Sequence, residues 1–208
     1  MPETTMGNLY TVSAPSGAGK TSLVRAIIER RQDLVVAVSH TTRPQRPGEE
    51  NGVNYHFVDR PTFEHSVASG QFFEWAEVFG NLYGTGRAEV ESRLQQGLDV
   101  ILEIDWQGAQ QVKLAVPGSC AIFIVPPSLE SLRERLTGRG QDDSNTIERR
   151  MADAKNELAH WRDADFIVLN DDFDRALLDL ESIIRSQHLR RDHQANRLAD
   201  TLSELGSG

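Results

Sequence analysis

The chain has 208 residues, of which 25% are charged and 38% hydrophobic, a balance that is typical of folded globular proteins and excludes disordered and collagen-like chains. Its net charge of -9, from 31 acidic residues against 22 Lys and Arg residues, disfavours nonspecific binding to nucleic acid or to an anionic membrane. The single cysteine, Cys120, excludes an internal disulfide, and no apolar run approaches the ~20 residues of a membrane helix, so we expect a protein of the reducing cytoplasm.

Short apolar runs along the chain predict β-strands. They occupy residues 9–12, 34–38, 100–105, 121–125 and 166–169. These runs are apolar at successive positions rather than at alternate ones, which is typical of a parallel sheet covered by helices on both faces. The first run is followed by a glycine-rich loop and then by apolar residues at helical spacing over 23–28. The sequence therefore predicts an α/β fold that opens with a strand, a loop and a helix.

Two segments interrupt this pattern. Residues 39–87 combine three prolines with most of the aromatic residues and with short alternating runs such as 54–58, which indicates a small mixed α/β lobe inserted into the sheet domain. Residues 126–162 begin near Ser128, a good helix N-cap, and are crowded with arginines, which indicates a helical segment. We therefore expect a core at 7–38, 88–125 and 163–185, a lobe at 39–87, a lid at 126–162 with a turn at 138–140, and a C-terminal helical extension at 186–208.

The strongest chemical signal is the loop at 13–21. Its sequence SAPSGAGKT matches the phosphate-binding pattern Gly-x4-Gly-Lys-Ser/Thr apart from Ala14 in place of the first glycine. The two remaining glycines allow backbone N–H groups to curl around an anion at the positive end of the following helix. Lys20 would reach the outer phosphates of a nucleotide, and Thr21 would offer its hydroxyl to Mg²⁺. A plain strand-to-helix turn is the alternative, and the flanking strand and helix disfavour it.

Charged side chains elsewhere also need partners. Arg43 and Arg46 lie in a proline-stiffened loop and could grip a second phosphate through fork-like hydrogen bonds, although by itself the pattern fits a solvated basic loop better. Glu74 lies inside an aromatic run, where an unpaired carboxylate is costly. It therefore needs a hydrogen-bond donor from the protein or from a ligand, and the local sequence leaves both open.

Taken together, these motifs resemble the guanylate kinase family. The resemblance extends from about residue 7 to about residue 185. Because several independent motifs occur in the family's order, it is far more specific than the phosphate loop alone. The matching segments are 13–21, 39–43, 46–49, 51–52, 55–57, 73–76, 83–84, 101–108, 126–128, 135–140 and 168–172.

The resemblance implies the reaction ATP + GMP ⇌ ADP + GDP, with dGMP as a second acceptor and Mg²⁺ as the companion of ATP. It assigns ATP binding to Ala14, Pro15, Ser16, Gly17, Ala18, Gly19, Lys20, Thr21 and Asn170, with Thr21 as the Mg²⁺ ligand. It assigns GMP binding to Ser39, Arg43, Arg46, Tyr55, Glu74, Tyr83, Thr85, Glu103 and Asp105. It assigns catalysis to Lys20, Arg43, Arg135, Arg139 and Arg150.

Within the GMP set, the resemblance implies a different role for each group of residues. Ser39, Glu74 and Thr85 would read the guanine, whereas the two arginines and two tyrosines of the set would hold the GMP phosphate. Glu103 and Asp105 end a central strand, where such folds place a carboxylate near Mg²⁺ and its waters. The structural alternative for these two acids is a capped strand end.

The chemistry of phosphoryl transfer agrees with these assignments. Transfer needs positioning and charge neutralisation more than a protein nucleophile, and the acceptor here is a phosphate oxygen that needs no catalytic base. Arg135 and Arg139 are four residues apart, so on one helix face they could approach the transferring group together. Closure of the lobe and the lid would exclude water.

Other functions stay open on sequence alone. One is a P-loop kinase for another small phosphorylated acceptor, which the guanine-reading residues disfavour. Another is a non-catalytic guanylate-kinase-like module that binds a protein partner, which the intact phosphate loop and the lid arginines disfavour. A GTPase-type switch lacks its Asn-Lys-x-Asp motif here.

The C-terminal extension lies outside the resemblance. Its apolar residues Ala195, Leu198, Leu202 and Leu205 recur at helical spacing and predict a narrow seam. We expect this seam to pack on the core or on a second subunit, so a homo-oligomer is compatible with the sequence. The six histidines show no close ligand spacing that would indicate a metal site.

Overall fold

The computed structural model of the chain describes residues 6–78, 80–138 and 144–206. Within these residues the strands are β1 (Leu9–Ser13), β2 (Leu34–Val36), β3 (His40–Thr41), β4 (His56–Phe57), β5 (Phe72–Val78), β6 (Asn81–Gly86), β7 (Asp99–Glu103), β8 (Cys120–Val125) and β9 (Phe166–Leu169). The helices are α1 (Lys20–Arg30), α2 (Arg60–Ala68), α3 (Arg87–Gln95), α4 (Trp106–Ala115), α5 (Leu129–Gly138), α6 (Ser144–Leu158), α7 (Phe173–His188), α8 (Arg191–Arg197) and α9 (Ala199–Gly206), and a 3-10 helix spans Ala159–Asp163. No helix in the described part of the chain has the length and apolar character needed to cross a membrane.

The main sheet is five-stranded and parallel, in the order β2-β7-β1-β8-β9. Every residue of the central strand β1 is buried, because helices cover both faces. α1 and α7 pack on one face around a cluster that includes Tyr10 and Ile122. α3 and α4 pack on the other face around Leu102 and Val112. This arrangement confirms the predicted α/β fold with a parallel sheet flanked by helices.

One predicted strand and the single cysteine can be compared with the sheet in detail. The strand expected at 34–38 ends at Val36 and pairs only with β7, so it is an edge strand in which Leu34 alone is buried. It is two residues shorter than predicted. Cys120, at the start of β8, is buried, as its place before an apolar run indicates.

A four-stranded mixed sheet lies within residues 40–86, in the order β4-β3-β6-β5. β5 and β6 form an antiparallel hairpin that places Glu74 opposite Thr85, and β3 pairs with β6 antiparallel and with β4 parallel. Phe63 of α2 is buried against these strands. The alternating run at 54–58 contributes only the two residues of β4, since the residues just before it form a turn.

The arginine-rich segment forms the two helices α5 and α6. They pack on each other through apolar residues that include Leu132 and Met151. The Ser131 N–H donates to Ser128 Oγ at 3.0 Å, which confirms the expected N-cap. Of the turn expected at 138–140, Gly138 is the last residue of α5, and residues 139 and 140 lie outside the described residues.

The C-terminal segment differs from the rest. α7 buries five residues and continues to His188, past the expected boundary at 185. Beyond it, Leu198 is half-buried, whereas Leu202 and Leu205 on α9 are 49% and 76% exposed. Ala195 is exposed as well, so within this chain the core leaves most of the predicted seam uncovered.

Candidate active site

The phosphate loop joins β1 to α1. Gly17 and Gly19 have φ angles of 93° and 95°, in the left-handed region that favours glycine and lets a chain curl into an anion-binding nest. Gly19 is the N-cap of α1 and supplies no side-chain cap, so the first N–H groups of this helix are left for an anion. The local geometry is that of a phosphate cradle, although Ala14 replaces the first glycine of the pattern.

Asn170 supports the loop from behind. It is buried at the end of β9, and its Nδ2 donates to the Ala18 carbonyl at 2.7 Å. A Cβ atom at Gly19 would lie 2.3 Å from the same Nδ2, so close packing as well as φ requires glycine there. Arg135 donates to the carbonyls of Ala18, at 3.3 Å, and Asn170, at 2.9 Å. These contacts fix the loop before any ligand binds.

Lys20 and Thr21 face the carboxyl end of β7. Lys20 Nζ donates to the Ile104 carbonyl at 3.1 Å, and Thr21 Oγ1 donates to Glu103 Oε2 at 3.0 Å. Asp105 follows as the N-cap of α4, the structural role that its position at a strand end allows. The strand end therefore places two carboxylates beside the phosphate loop.

Glu74 is the buried carboxylate of the mixed sheet, with 4% of its surface exposed. Thr85 Oγ1 donates to Glu74 Oε1 at 2.6 Å, and Ser39 Oγ lies 3.4 Å from Thr85 Oγ1. The cross-strand register thus supplies the protein donor that the sequence left undecided. A carboxylate can accept several hydrogen bonds, so one hydroxyl does not exhaust the capacity of Glu74.

Burial raises the pKa of Glu74 to about 7. The hydrogen bond from Thr85 opposes this rise, and the negative charge of Asp105 adds to it. A dehydrated carboxylate favours its neutral form unless donors compensate the charge. A ligand that brings N–H donors to Glu74 would therefore supply what this pocket lacks.

Arg43 lies in a packed wall of the cleft. Its Nη2 donates to Glu49 Oε1 at 2.6 Å, and the Arg46 main-chain N–H donates to Glu49 Oε2 at 2.8 Å. The Arg43 guanidinium lies 5.4 Å from the centre of the Tyr55 ring, which contacts the Tyr83 ring edge-on at 6.0 Å. Only 11% of the Arg43 side chain is exposed. Arg43 is therefore packed into the cleft wall, whereas residues 44–48, which include Arg46, are exposed as in the solvated loop that the sequence allowed.

Helix α6 contacts the phosphate loop at Ser16. Arg150 donates to Ser16 Oγ from Nη2 at 2.6 Å and from Nε at 3.2 Å, and Glu157 Oε2 accepts the Ser16 N–H at 3.0 Å. Burial raises the pKa of Glu157. Glu157 and Ser16 are 141 positions apart, so no local sequence signal could reveal their contact. The predicted lid residue Arg139 lies outside the described residues.

A cleft of about 430 Å³ connects the phosphate loop to the mixed sheet. The predicted site residues that line it are Ala14, Pro15, Ser16, Gly17, Gly19, Lys20, Thr21, Ser39, Arg43, Arg46, Tyr55, Glu74, Tyr83, Glu103 and Asp105. The other predicted residues in the described part of the chain lie next to the cleft: Thr85 and Arg150 bond to the lining residues Glu74 and Ser16, and Asn170 and Arg135 bond to the Ala18 carbonyl. The lining residues that the sequence interpretation missed include Glu49 and Glu157. Glu157 contacts Ser16 from a distant part of the chain, whereas Glu49 bonds to Arg43 and Arg46 within its own loop.

The arrangement can hold two phosphate groups and one base. The loop N–H groups and Lys20 suit one anion, and the wall around Arg43 suits a second. Glu74 lines the same cleft and offers only acceptors when it is ionised. The cleft therefore suits two phosphorylated molecules, one of which carries adjacent N–H donors.

Known proteins resemble this chain over most of its length. The family model described as guanylate kinase matches residues 6–187. A guanylate kinase from Alkalilimnicola ehrlichii is 57% identical over 199 residues, which cover 96% of this chain and 98% of that protein. A guanylate kinase from Shewanella oneidensis is 54% identical over 206 residues, with 99% and 100% coverage. The crystal structure of guanylate kinase from Anaplasma phagocytophilum is similar at a TM-score of 0.76 and 31% identity, covering 92% of this chain and 91% of that one.

Proposed function

The chain belongs to the guanylate kinase family, and we propose that the cleft described above is where it transfers the γ-phosphoryl group of ATP to GMP, giving ADP and GDP. One observation carries the assignment of the cleft: the buried carboxylate of Glu74 lines the same cavity as the phosphate loop. The geometry of the loop suits phosphates, and a carboxylate in the same cavity suits the N–H donors of a base.

Glu74 is assigned to the guanine. Guanine presents two adjacent donors, N1–H and the exocyclic N2 amine, which match the two oxygens of one carboxylate. Adenine has an acceptor at N1 and no amine at C2, so it would leave a charged, dehydrated Glu74 facing a lone pair. Ser39 and Thr85 are assigned to the same base pocket, because their hydroxyls form a chain that ends on Glu74.

The wall around Arg43 is assigned to the GMP phosphate. Arg43 and Arg46 would bind it by charge-assisted hydrogen bonds, and the hydroxyls of Tyr55 and Tyr83 would add donors. Glu49 joins the two arginine positions through its two carboxylate oxygens. It thereby holds Arg43 in the cleft wall before GMP arrives.

The loop at 14–21 is assigned to ATP. Its N–H groups and the positive end of α1 would bind the phosphates, and Lys20 would reach the outer ones. Lys20 Nζ now bonds to the Ile104 carbonyl, which keeps the ammonium group at the edge of the cleft. Asn170 is assigned to the ATP side as the support of Ala18.

The oxygen donors at the end of the loop fit Mg²⁺. Thr21 Oγ1 and Glu103 Oε2 are 3.0 Å apart beside the phosphate loop, and Mg²⁺ prefers hard oxygen ligands together with water and phosphate. Thr21 would hold the ion, and Glu103 and Asp105 would accept hydrogen bonds from its waters. When bound, Mg²⁺ neutralises charge on the phosphates.

The transfer itself needs no protein nucleophile. A phosphate oxygen of GMP forms a bond to the γ-phosphorus while the bond from that phosphorus to the β–γ bridging oxygen breaks, and ADP leaves with the electron pair. Lys20 and the arginines Arg135, Arg139 and Arg150 are assigned to the negative charge of the transferring group. Arg135 and Arg150 already bond to the phosphate loop, next to the atoms they would serve.

The alternatives fit these contacts less well. A module that only binds a protein partner needs neither Lys20 nor a loop that binds nucleotide phosphates. A kinase for a phosphorylated sugar would leave Glu74 buried without base donors. We further propose dGMP as a second acceptor. We also propose a cytoplasmic location, which the single cysteine supports because it cannot form an internal disulfide.

A coupled assay with ATP and each nucleoside monophosphate tests this function. We expect strong activity with GMP and dGMP, weaker activity with IMP, which lacks the amine, and poor activity with AMP, CMP and UMP. Sites built on such hydrogen bonds discriminate by about 10⁴ or more. In Glu74→Gln the GMP kcat/KM should fall more than tenfold, and the gap between GMP and IMP should narrow. Equal use of AMP and GMP by the wild type would show that Glu74 does not read the base.

A further inference from the structure

Gly108, in the first turn of α4, lies directly against the carboxylate of Glu74. A Cβ atom at this position would be 2.6 Å from Glu74 Oε2 and 3.2 Å from Glu74 Cδ. Contacts below 3.0 Å are essentially never made by real Cβ atoms. Glu74 therefore occupies the space that a side chain at position 108 would need.

The backbone does not require glycine at this position. Gly108 lies inside a helix, and its φ is outside the left-handed region. Alanine has the higher helix propensity, so the helix itself does not call for glycine at this position. What excludes the side chain is the neighbouring carboxylate.

Both partners of this contact are held by hydrogen bonds. Glu74 is 4% exposed and accepts the short hydrogen bond from Thr85 at 2.6 Å. The start of α4 is fixed in turn, because the Gly108 N–H donates to Asp105 Oδ1 at 2.9 Å. The nearest atom is Glu74 Oε2, at the end of a side chain, so a methyl group at 108 would displace the Glu74 carboxylate rather than the helix.

We infer that Gly108 is a specificity-positioning residue, whose lack of a side chain lets Glu74 present both oxygens to guanine. This inference rests on the proposed function of Glu74. To restore ordinary contact, the carboxylate would have to move from 2.6 Å to at least 3.4 Å from the new methyl group. A misplacement of roughly 1 Å at a reacting or binding group can reduce rate by about 10²-fold.

The test compares Gly108→Ala with Gly118→Ala. Gly118 is a matched control, because a Cβ there would meet nothing within 4 Å and its φ is not left-handed. In Gly108→Ala we expect GMP kcat/KM to fall about 10- to 100-fold, mainly through KM for GMP. KM for ATP should stay within about twofold, and the ratio of GMP to IMP efficiency should narrow. The control should match the wild type in all three.

A double-mutant cycle with Glu74→Ala separates positioning from general damage. In the Glu74→Ala background no carboxylate remains to be displaced, so adding Gly108→Ala should change GMP efficiency less than about twofold. An equal loss in both backgrounds, full GMP efficiency in Gly108→Ala, or a Gly108→Ala chain that does not fold would each overturn the inference. A wild type that fails to prefer GMP over IMP and AMP would instead overturn the role of Glu74 itself.

Discussion

Replacing Glu74 by glutamine should stabilise the ligand-free protein while it harms GMP use. Burial raises the pKa of this carboxyl from its ordinary value of 4.5 to about 7. Between these two values the folded state binds a proton that the unfolded state releases. The free energy of unfolding therefore falls as pH rises from about 4.5 to about 7, and it stays low above pH 7.

The size of this effect follows from the shift. At 1.36 kcal/mol for each pH unit, a change from 4.5 to about 7 destabilises the folded protein by about 3 kcal/mol at pH 8, but by less than about 1 kcal/mol at pH 5. Glutamine is similar in shape, stays neutral and can still accept the Thr85 hydroxyl. Glu74→Gln should therefore gain about 2 to 3 kcal/mol over the wild type when the pH is raised from 5 to 8.

Denaturant unfolding of both proteins at pH 5, 6, 7 and 8 measures this difference. In a thermal scan, 3 kcal/mol corresponds to a rise of about 6 to 12 °C for a chain of this size. Glu77→Gln is the matched control for the substitution itself, since Glu77 lies on the same strand but is exposed. A stability difference between Glu74→Gln and wild type that is constant from pH 5 to 8 would refute the reasoning.

Other contacts of the cleft carry predictions of their own. Lys20→Ala should keep a native circular dichroism spectrum but lose roughly a hundredfold or more in kcat, because about 3 kcal/mol of charge stabilisation is removed; a variant within about fivefold of wild type would contradict the assignment. Glu157→Ala should lower kcat by loosening α6 from the phosphate loop. Glu157→Gln keeps an acceptor for the Ser16 N–H and should retain most activity. Equal kcat values in the two variants would show that this hydrogen bond does not contribute to turnover. Deletion of 190–208 should alter sedimentation or melting and leave both KM values within a few-fold, and a large loss of GMP affinity in the folded truncation would count against a purely structural extension.

Much of this protein could be derived from the sequence, because the relevant chemistry is local. The phosphate loop is contiguous, and its glycines, Lys20 and Thr21 act through backbone conformation and helix position, which short patterns encode. The strands of the main sheet were also accessible, since their unbroken apolar runs require burial on both faces. The strand at 34–38 was overestimated by two residues, because its apolar run continues past the last residue that pairs with β7.

The tertiary structure decided which side chains contact each other. Thr85 reaches Glu74 only because β5 and β6 pair in one register, and Glu157 reaches Ser16 only because α6 folds back on the loop. The absence of a side chain at Gly108 matters because Glu74 packs against this position. From the sequence alone, Gly108 is only a residue of low helix propensity. Residue types and local spacing determine which groups are available and which backbone shapes are accessible. Which buried charge meets which donor is set by packing between elements far apart in the chain, and that packing also fixes the pKa of Glu74.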